Sequence, residues 1–540
     1  MNENLPNRYR SQNLVIGGGI SGIVTTLELL DGGQSVTLID RDTQERFGGL
    51  ARWAFGGMAL VGTPEQKRLK IEDSPELALE DWVRFGELAE DDYWPRAWAQ
   101  CYTEESRTFI YDWLKGLGLK FMPAVNWVER GSSVKGNSLA RYHILWGTGL
   151  ELVETLIGCL QGHANRDKLT LLHRHRASSL GQLDGAIVGC EGVDENNGQP
   201  FIAEAVNTII ATGGINGSVE KVRQHWPQGW PPAQATILNG AHPYSDGQIH
   251  EYAAAQGAKL THLDCMWNYA AGIPHPQPHF AGHGLSLIPC KSGLWLNPDG
   301  GPVGPAPMIT GYDTRELCRQ VAAWPCTWQV LNWKIVAKEM AISGSQHNPR
   351  IVKHQLLRFL AETLMGSDRL LKQMVDESTE FLVADSVAGL AGKMNALSGE
   401  DRIDAAQLQS RVEEFDRVLR DPVRRESDPA VSRILNLRRW RGDALRTCNL
   451  QPILDPKAGP LVAIRLHFIS RKSLGGLQTD LAGRVLAHDG RAMTGLYAVG
   501  EAAGFGGGGA SGKRSLEGTF LSGCILTARK TSQSILKESQ

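Results

Sequence analysis

Two glycine-rich turns near opposite ends of the chain each follow an apolar, strand-like run and stand close to an acidic residue. Leu14-Val15-Ile16 leads into Gly17-Gly18-Gly19-Ile20-Ser21-Gly22, and Val36 to Ile39 then leads into Asp40-Arg41. Far downstream, Gly495-Leu496-Tyr497-Ala498-Val499 leads into Gly500-Glu501-Ala502-Ala503-Gly504. The first arrangement suits a dinucleotide. Gly17 permits a tight turn, Gly19 lets a diphosphate approach the backbone, and Gly22 lets helix and strand pack closely. The helix predicted from Ile20 to Leu30 offers unpaired N–H groups and a partial positive charge at its start. Asp40 lies 18 residues beyond Gly22, where a strand-end carboxylate can accept ribose hydroxyls. Among 61 glycines a lone GxGxxG would carry little weight, but strand, helix and acid occur together.

The elements that must position these residues follow from periodicity. Residues 11–60 predict a β-α-β unit with a second glycine cluster, Gly48-Gly49-Leu50 and Gly56-Gly57. Residues 74–118 read as helical, as does Leu150 to Gly162. Strands are predicted at Leu169–His173, Ile187–Cys190 and Ala205–Ile210, the last ending in the small-residue turn Ala211-Thr212-Gly213-Gly214. Tyr244-Ser245-Asp246-Gly247 opens another helix. From about Leu260 to Pro307 proline, glycine and histidine dominate without clear periodicity, which predicts long loops. Residues 350–420 read as strongly helical, and Pro460 to Phe468 returns to strand.

Composition narrows the class. The 540 residues favour two or more domains, and 42% apolar with 21% charged content is ordinary for a globular enzyme. A net charge of −2 gives no overall electrostatic argument for nucleic acid or an anionic membrane as partner. No apolar run approaches the roughly 18 residues of a membrane span, and mean hydropathy is −0.24. The polar stretch Met1–Asn13 predicts no signal peptide. Nine cysteines stand singly without a CxxC pair, which predicts reduced thiols and a cytoplasmic setting. The spacing of His262, His275, His279 and His283 fits no metal site.

Taken in order, these segments resemble the flavoprotein family of fumarate reductases, succinate dehydrogenases and 3-ketosteroid Δ1-dehydrogenases. The residues that carry the likeness are Gly17–Gly22, Gly56-Gly57, Ala211–Gly214, Asp246-Gly247, Ser473-Leu474-Gly475-Gly476-Leu477 and Gly495–Gly504. Within it, Lys135–Ser138, Trp146–Gly149 and Leu516-Glu517-Gly518-Thr519-Phe520 resemble the branch described only as FAD-binding dehydrogenases. The resemblance implies an α/β architecture: a Rossmann-type FAD-binding domain, discontinuous over residues 11–262 and 456–540, with an inserted α+β capping (substrate) domain over 263–455. It implies FAD as cofactor and hydride transfer between flavin N5 and a carbon–carbon bond next to a carbonyl or carboxylate. By position, Gly17, Gly18, Gly19, Ile20, Ser21, Gly22, Asp40 and Arg41 would hold the ADP half and Asp246 would lie near the adenosine. Gly49, Leu50, Gly56 and Gly57 would lie beside the flavin, with Ala211, Thr212 and Gly213 approaching the cofactor from the strand-end turn. Gly500 and Glu501 would meet the ribityl chain, and Ser515 and Leu516 would face the pyrimidine edge from the start of the last helix.

The chain also departs from that family. Leu50–Phe55 has no histidine for covalent attachment, so non-covalent FAD is expected. Arg471 and Lys472 stand where fumarate reductases place a His-His pair, and Arg514 stands close to where they place a proton-donating arginine. The Gly504–Gly512 loop lacks the tyrosine that the steroid dehydrogenases use there, leaving Tyr142, Tyr244 and Tyr312 as candidates from elsewhere. Arg514, Arg471, Lys472 and His467 are therefore the catalytic candidates, with basic residues to bind an anionic carboxylate or a carbonyl oxygen and His467 to shuttle a proton. The expected partners are a small-molecule substrate, anionic or a bulky ketone, and an electron donor or acceptor. A steroid-type desaturase remains open, with fifteen tryptophans suited to an apolar pocket. So do a flavoprotein electron-transfer subunit, a structural-FAD protein and, more weakly, a nicotinamide-linked dehydrogenase.

Overall fold

A computed structural model describes residues 6–304, 311–514 and 516–539. The chain divides into two compact units. One holds the residues up to Pro227, Ala241–Trp267 and those from Arg471 on; the other holds Gln228–Gly240 and Asn268–Ser470.

The first unit is built on an eight-stranded sheet. Its strands are β1 (Asn7–Ile16), β2 (Val36–Ile39), β3 (Leu169–Leu172), β4 (His175–Leu183), β5 (Ala186–Asp194), β6 (Gln199–Ile210), β7 (Arg484–Leu486) and β8 (Ala492–Ala498). The main order is β7-β8-β6-β1-β2-β3, with β4 and β5 continuing antiparallel from β6. β1 runs parallel to both β2 and β6, and β8 runs parallel to β6. The C-terminal segment therefore enters the same sheet as the N-terminal motif. β2 is buried along its whole length and shows no alternation, as a strand covered on both faces requires.

Two helices pack together over this sheet: α1 (Ile20–Asp31) and the last helix, α2 (Thr519–Glu538). They bury Ile23, Val24, Leu29, Leu30, Ile525 and Leu526 in one apolar cluster. Residues 74–118 fold as the helix Pro75–Gly86 and a second helical run from Tyr93 to Gly116, whose Ser106–Asp112 portion is a π-helix. Pro75 sits in the first turn, and Ser74 caps it by accepting a hydrogen bond from Leu77 N.

The second unit combines its own eight-stranded sheet with helices that include Asp368–Glu377, Val387–Ser398 and Ala405–Arg420. The fold is thus mixed α/β. Leu260–Pro307, expected to be loops, contains the strands Met266–Pro274, Gly284–Ile288 and Leu294–Leu296. Met266–Pro274 is buried on both faces, which removes the alternation that would have marked it.

Candidate active site

The turn after β1 has the geometry of a diphosphate cradle. Gly17 has φ +110°, and a Cβ there would lie 2.5 Å from Ala211 O on the neighbouring strand end. Gly19 caps α1 without any side-chain hydrogen bond, although Ile20 and Ser21 are only 5% and 6% exposed. A buried helix start with no protein side chain to cap it calls for an anionic partner. A Cβ on Gly19 would meet no atom within 4 Å, so open space lies where a phosphate would approach. These features fit the diphosphate of FAD. Gly48 N bonds Gly18 O at 2.9 Å, which brings the second glycine cluster onto the first. Gly49 and Leu50 begin a short 3-10 turn that ends at Trp53.

Asp40 closes β2 and accepts a hydrogen bond from Asp42 N at 3.0 Å. Burial raises its carboxyl to about 6, against opposing hydrogen bonds and the nearby His242. A carboxylate held this way gains from hydroxyl donors, which a ribose supplies. Arg41, beside it, pairs with Glu195 and Asp246, each at 3.3 Å, and lies 4.4 Å from the centroid of the Tyr244 ring. Asp246 also accepts from Gln248 N at 3.1 Å at the start of helix Gln248–Ala255. Asp40, Arg41 and Asp246 are thereby gathered at one end of the site.

At the other end, the first and last glycine motifs touch. A Cβ on Gly500 would lie 2.6 Å from the Ser21 hydroxyl, and Gly500 N bonds Thr527 Oγ1 at 2.9 Å. Glu501 accepts from Ser473 N at 3.0 Å, while the Ser473 hydroxyl accepts from Ile215 N at 3.3 Å. The turn Ala211–Gly214 is part of this junction, because a Cβ on Gly214 would reach within 2.5 Å of Glu501 Oε1. Thr212 and Gly213 lie between these contacts, Gly213 with φ +76°.

Lys472 and Glu501 form an electrostatic pair within the unit. Burial and Arg471 push the Lys472 ammonium down, to about 8, while Glu501 and Glu517 act to hold its charge. Burial raises Glu501 to about 7, and Lys472 is the strongest opposing influence. Lys472 Nζ lies 4.3 Å from the centroid of the Phe520 ring, in the first turn of α2. Burial disfavours both charges, and each charge partly offsets that cost for the other.

Arg514 is bound to Glu87, and Lys513 Nζ reaches the same carboxylate at 3.2 Å. Burial works to raise the Glu87 carboxyl, but the two cations outweigh it and hold it below its ordinary range. Lys513 N also bonds Gly86 O at 2.7 Å, so the C-terminal glycine loop is docked on the Phe85-Gly86-Glu87 turn. His467 belongs to the second unit. Its Nε2 lies 3.4 Å from Glu380, which also binds Arg465 at 2.6 and 3.0 Å.

Gly56 abuts the Thr148 backbone and Gly57 the Tyr142 hydroxyl. Leu516 is 3% exposed, and its carbonyl accepts from Thr519 Oγ1 at 2.9 Å. Ser515 lies outside the described residues. Of the three tyrosines, Tyr142 lies against Gly57, Tyr244 under Arg41, and Tyr312 in the second unit, donating to Arg433 O at 3.3 Å. Reading the sequence missed Glu87, Glu195 and Thr527. Glu87 adopts φ +51° after a helix, a local signal visible only in the backbone; the other two carry no sequence mark.

Comparison with known proteins follows the same lines. The family described as FAD binding domain matches residues 13–521. A KsdD-like steroid dehydrogenase of Mycobacterium tuberculosis is 38% identical, over 96% of this chain and 94% of that protein. The KsdD-like steroid dehydrogenase of Mycolicibacterium smegmatis is also 38% identical, over 94% of this chain and 95% of its own. The fold is that of a flavocytochrome c3 fumarate reductase in its open conformation, with TM-score 0.68, 18% identity and coverage of 98% of this chain and 79% of the other. The 3-ketosteroid-Δ4-(5α)-dehydrogenase of Rhodococcus jostii RHA1 shares it with TM-score 0.63 and 20% identity, over 98% and 99%. The chain belongs to the FAD binding domain family and is an FAD-dependent oxidoreductase.

Proposed function

We propose that the protein desaturates a bulky, steroid-like ketone, removing two hydrogens across a carbon–carbon bond next to the carbonyl. The observation that carries this reading is 38% identity, along nearly the whole of both chains, to proteins named KsdD-like steroid dehydrogenases. When bound, FAD supplies a hydride acceptor at flavin N5.

In this reading Gly17–Gly22, Asp40, Arg41 and Asp246 bind the ADP half of non-covalent FAD. Gly49, Leu50, Gly56, Gly57, Ala211–Gly213, Gly500, Glu501 and Leu516 line the flavin half. Lys472, cationic at neutral pH and supported by the charges of Glu517 and Glu501, is the leading candidate to bind the ketone oxygen or stabilise charge developing there. Arg471 adds to that positive field. Arg514, a guanidinium bound to Glu87, cannot take the proton that desaturation removes, so it adds positive charge and does not act as the base. His467, beside Glu380, is the candidate base for the proton that desaturation removes from the carbon next to the carbonyl. Nine free cysteines support a reducing, cytoplasmic setting, and no described helix is long and apolar enough to cross a membrane.

Anaerobic mixing of the FAD-loaded protein with a saturated 3-ketosteroid tests the proposal. Bleaching of the flavin absorbance with formation of the unsaturated ketone is the expected result. Failure of a range of steroid ketones to bleach it would overturn the substrate class. The lack of a tyrosine in Gly504–Gly512 favours a second reading, an electron-transfer subunit, which predicts bleaching only by a reduced protein donor.

A further inference from the structure

The helix Leu356–Met365 turns its large apolar side chains outward. Leu356, Leu357, Leu360, Leu364 and Met365 are 48, 83, 44, 57 and 80% exposed, and no residue of this helix is buried. The four leucines fall within about 100° of arc on one face, and Met365 extends the apolar surface beyond it at the helix end. A single exposed leucine needs no explanation, but five large apolar residues in a ten-residue helix do. The helix is anchored. Arg350 Nε donates to Glu362 at 2.9 Å, Lys338 Nζ donates to Thr363 O at 2.7 Å, and Ser367 N donates to Ala337 O at 2.7 Å.

The charge around the stripe is one-sided. Residues 349–369 and 438–446 hold eight Arg and Lys against three Asp and Glu, in a chain of net charge −2. The neighbouring helix Arg441–Arg446 packs beside Leu356–Met365 and adds Leu445, 40% exposed. Glu362 is engaged with Arg350, and Asp368 accepts from Trp333 Nε1 at 2.8 Å. Lys353, Arg358, Arg369, Arg439 and Arg441 stand exposed.

We infer that this face docks on an anionic phospholipid bilayer, with the leucine and methionine stripe among the acyl chains and the flanking cations on the headgroup phosphates. Apolar insertion combined with a cationic border is the chemistry of an interfacial helix. At ten residues the helix lies on the membrane and does not span it. A second copy of the chain fits this face poorly, because a two-fold contact would set the same cationic border against itself.

The test is co-sedimentation of the full-length, FAD-loaded protein with phosphatidylcholine vesicles, with and without phosphatidylglycerol. The protein is expected to sediment with the anionic vesicles, to be released by high salt, and to bind neutral vesicles weakly. Leu357→Asp with Met365→Asp is expected to weaken binding at least about tenfold while the flavin spectrum is retained. Arg358→Glu with Arg441→Glu is expected to reduce binding to anionic vesicles specifically. The inference is overturned if the parent protein stays in the supernatant, or if the aspartate variant sediments as the parent does. It is also overturned if the parent proves to be a dimer that the aspartates dissociate.

Discussion

Gly500 and Ser21 meet so closely that a side chain on Gly500 would have its Cβ 2.6 Å from the Ser21 hydroxyl. The contact joins the first glycine motif to the last, and Gly500 holds φ +65°, a left-handed conformation costly for other residues. Gly500→Ala is therefore expected to lower stability by about 2–3 kcal/mol, part from backbone conformation and part from the clash. Adding Ser21→Gly relieves only the clash. Thermal melts of the single and double variants separate the two parts, and an unchanged melting temperature for Gly500→Ala would refute the account.

Gly19 offers the opposite case. It has φ −72°, and a Cβ there meets nothing within 4 Å. Gly19→Ala is expected to leave the apoprotein's stability within about 1 kcal/mol and to weaken FAD binding by about tenfold or more. A melt of the apoprotein and an FAD titration measure the two effects separately. Equal FAD affinity in variant and parent would mean the diphosphate does not pass Gly19.

The cofactor half of the site was legible in the sequence because its determinants are local. A strand, a glycine turn and a helix start fall within a dozen residues, and the type of each residue is set by backbone geometry. The FAD assignment, the mixed α/β fold and the family all follow from such segments. What was not legible depends on long-range pairing. Nothing near Arg514 in sequence announces that Glu87 binds it, because the partners meet only after the glycine loop docks on a distant helix end. Met266–Pro274 was equally hidden, since a strand buried on both faces loses its period of two.

Asp40 predicts a pH dependence of cofactor binding. Its carboxyl rises from the ordinary 3.8 to about 6 in the folded protein without ligand, chiefly through burial. A raised acid favours its protonated form in the fold, so this contribution to apoprotein stability is full below about 3.8 and is lost as pH rises through about 6. Ribose hydroxyls donate to the ionised form, so FAD affinity should increase with pH up to about 6 and then level off. FAD binding should release protons in that window. Asp40→Asn is expected to abolish both effects, and calorimetric FAD titrations in buffers of different ionisation enthalpy would detect the proton release. A parent protein with pH-independent FAD affinity between about 4 and 6 would exclude this role.

Lys472 gives the sharpest test of the chemistry, because its charge is poised. Burial and Arg471 lower its ammonium to about 8, so it remains cationic at neutral pH and loses its proton as pH rises through that value. If it binds the ketone oxygen in its charged form, turnover should fall on the alkaline side of about 8. Lys472→Arg should carry the activity to higher pH, because a guanidinium stays protonated there. Glu501→Gln removes a charge that supports the ammonium, so the fall should begin at lower pH. Lys472→Met is expected to reduce kcat by about a hundredfold with FAD still bound, the scale seen when one electrostatic stabiliser is removed. A merely structural lysine would instead lose flavin or thermal stability in the Met variant and leave the pH profile of the Arg variant unmoved.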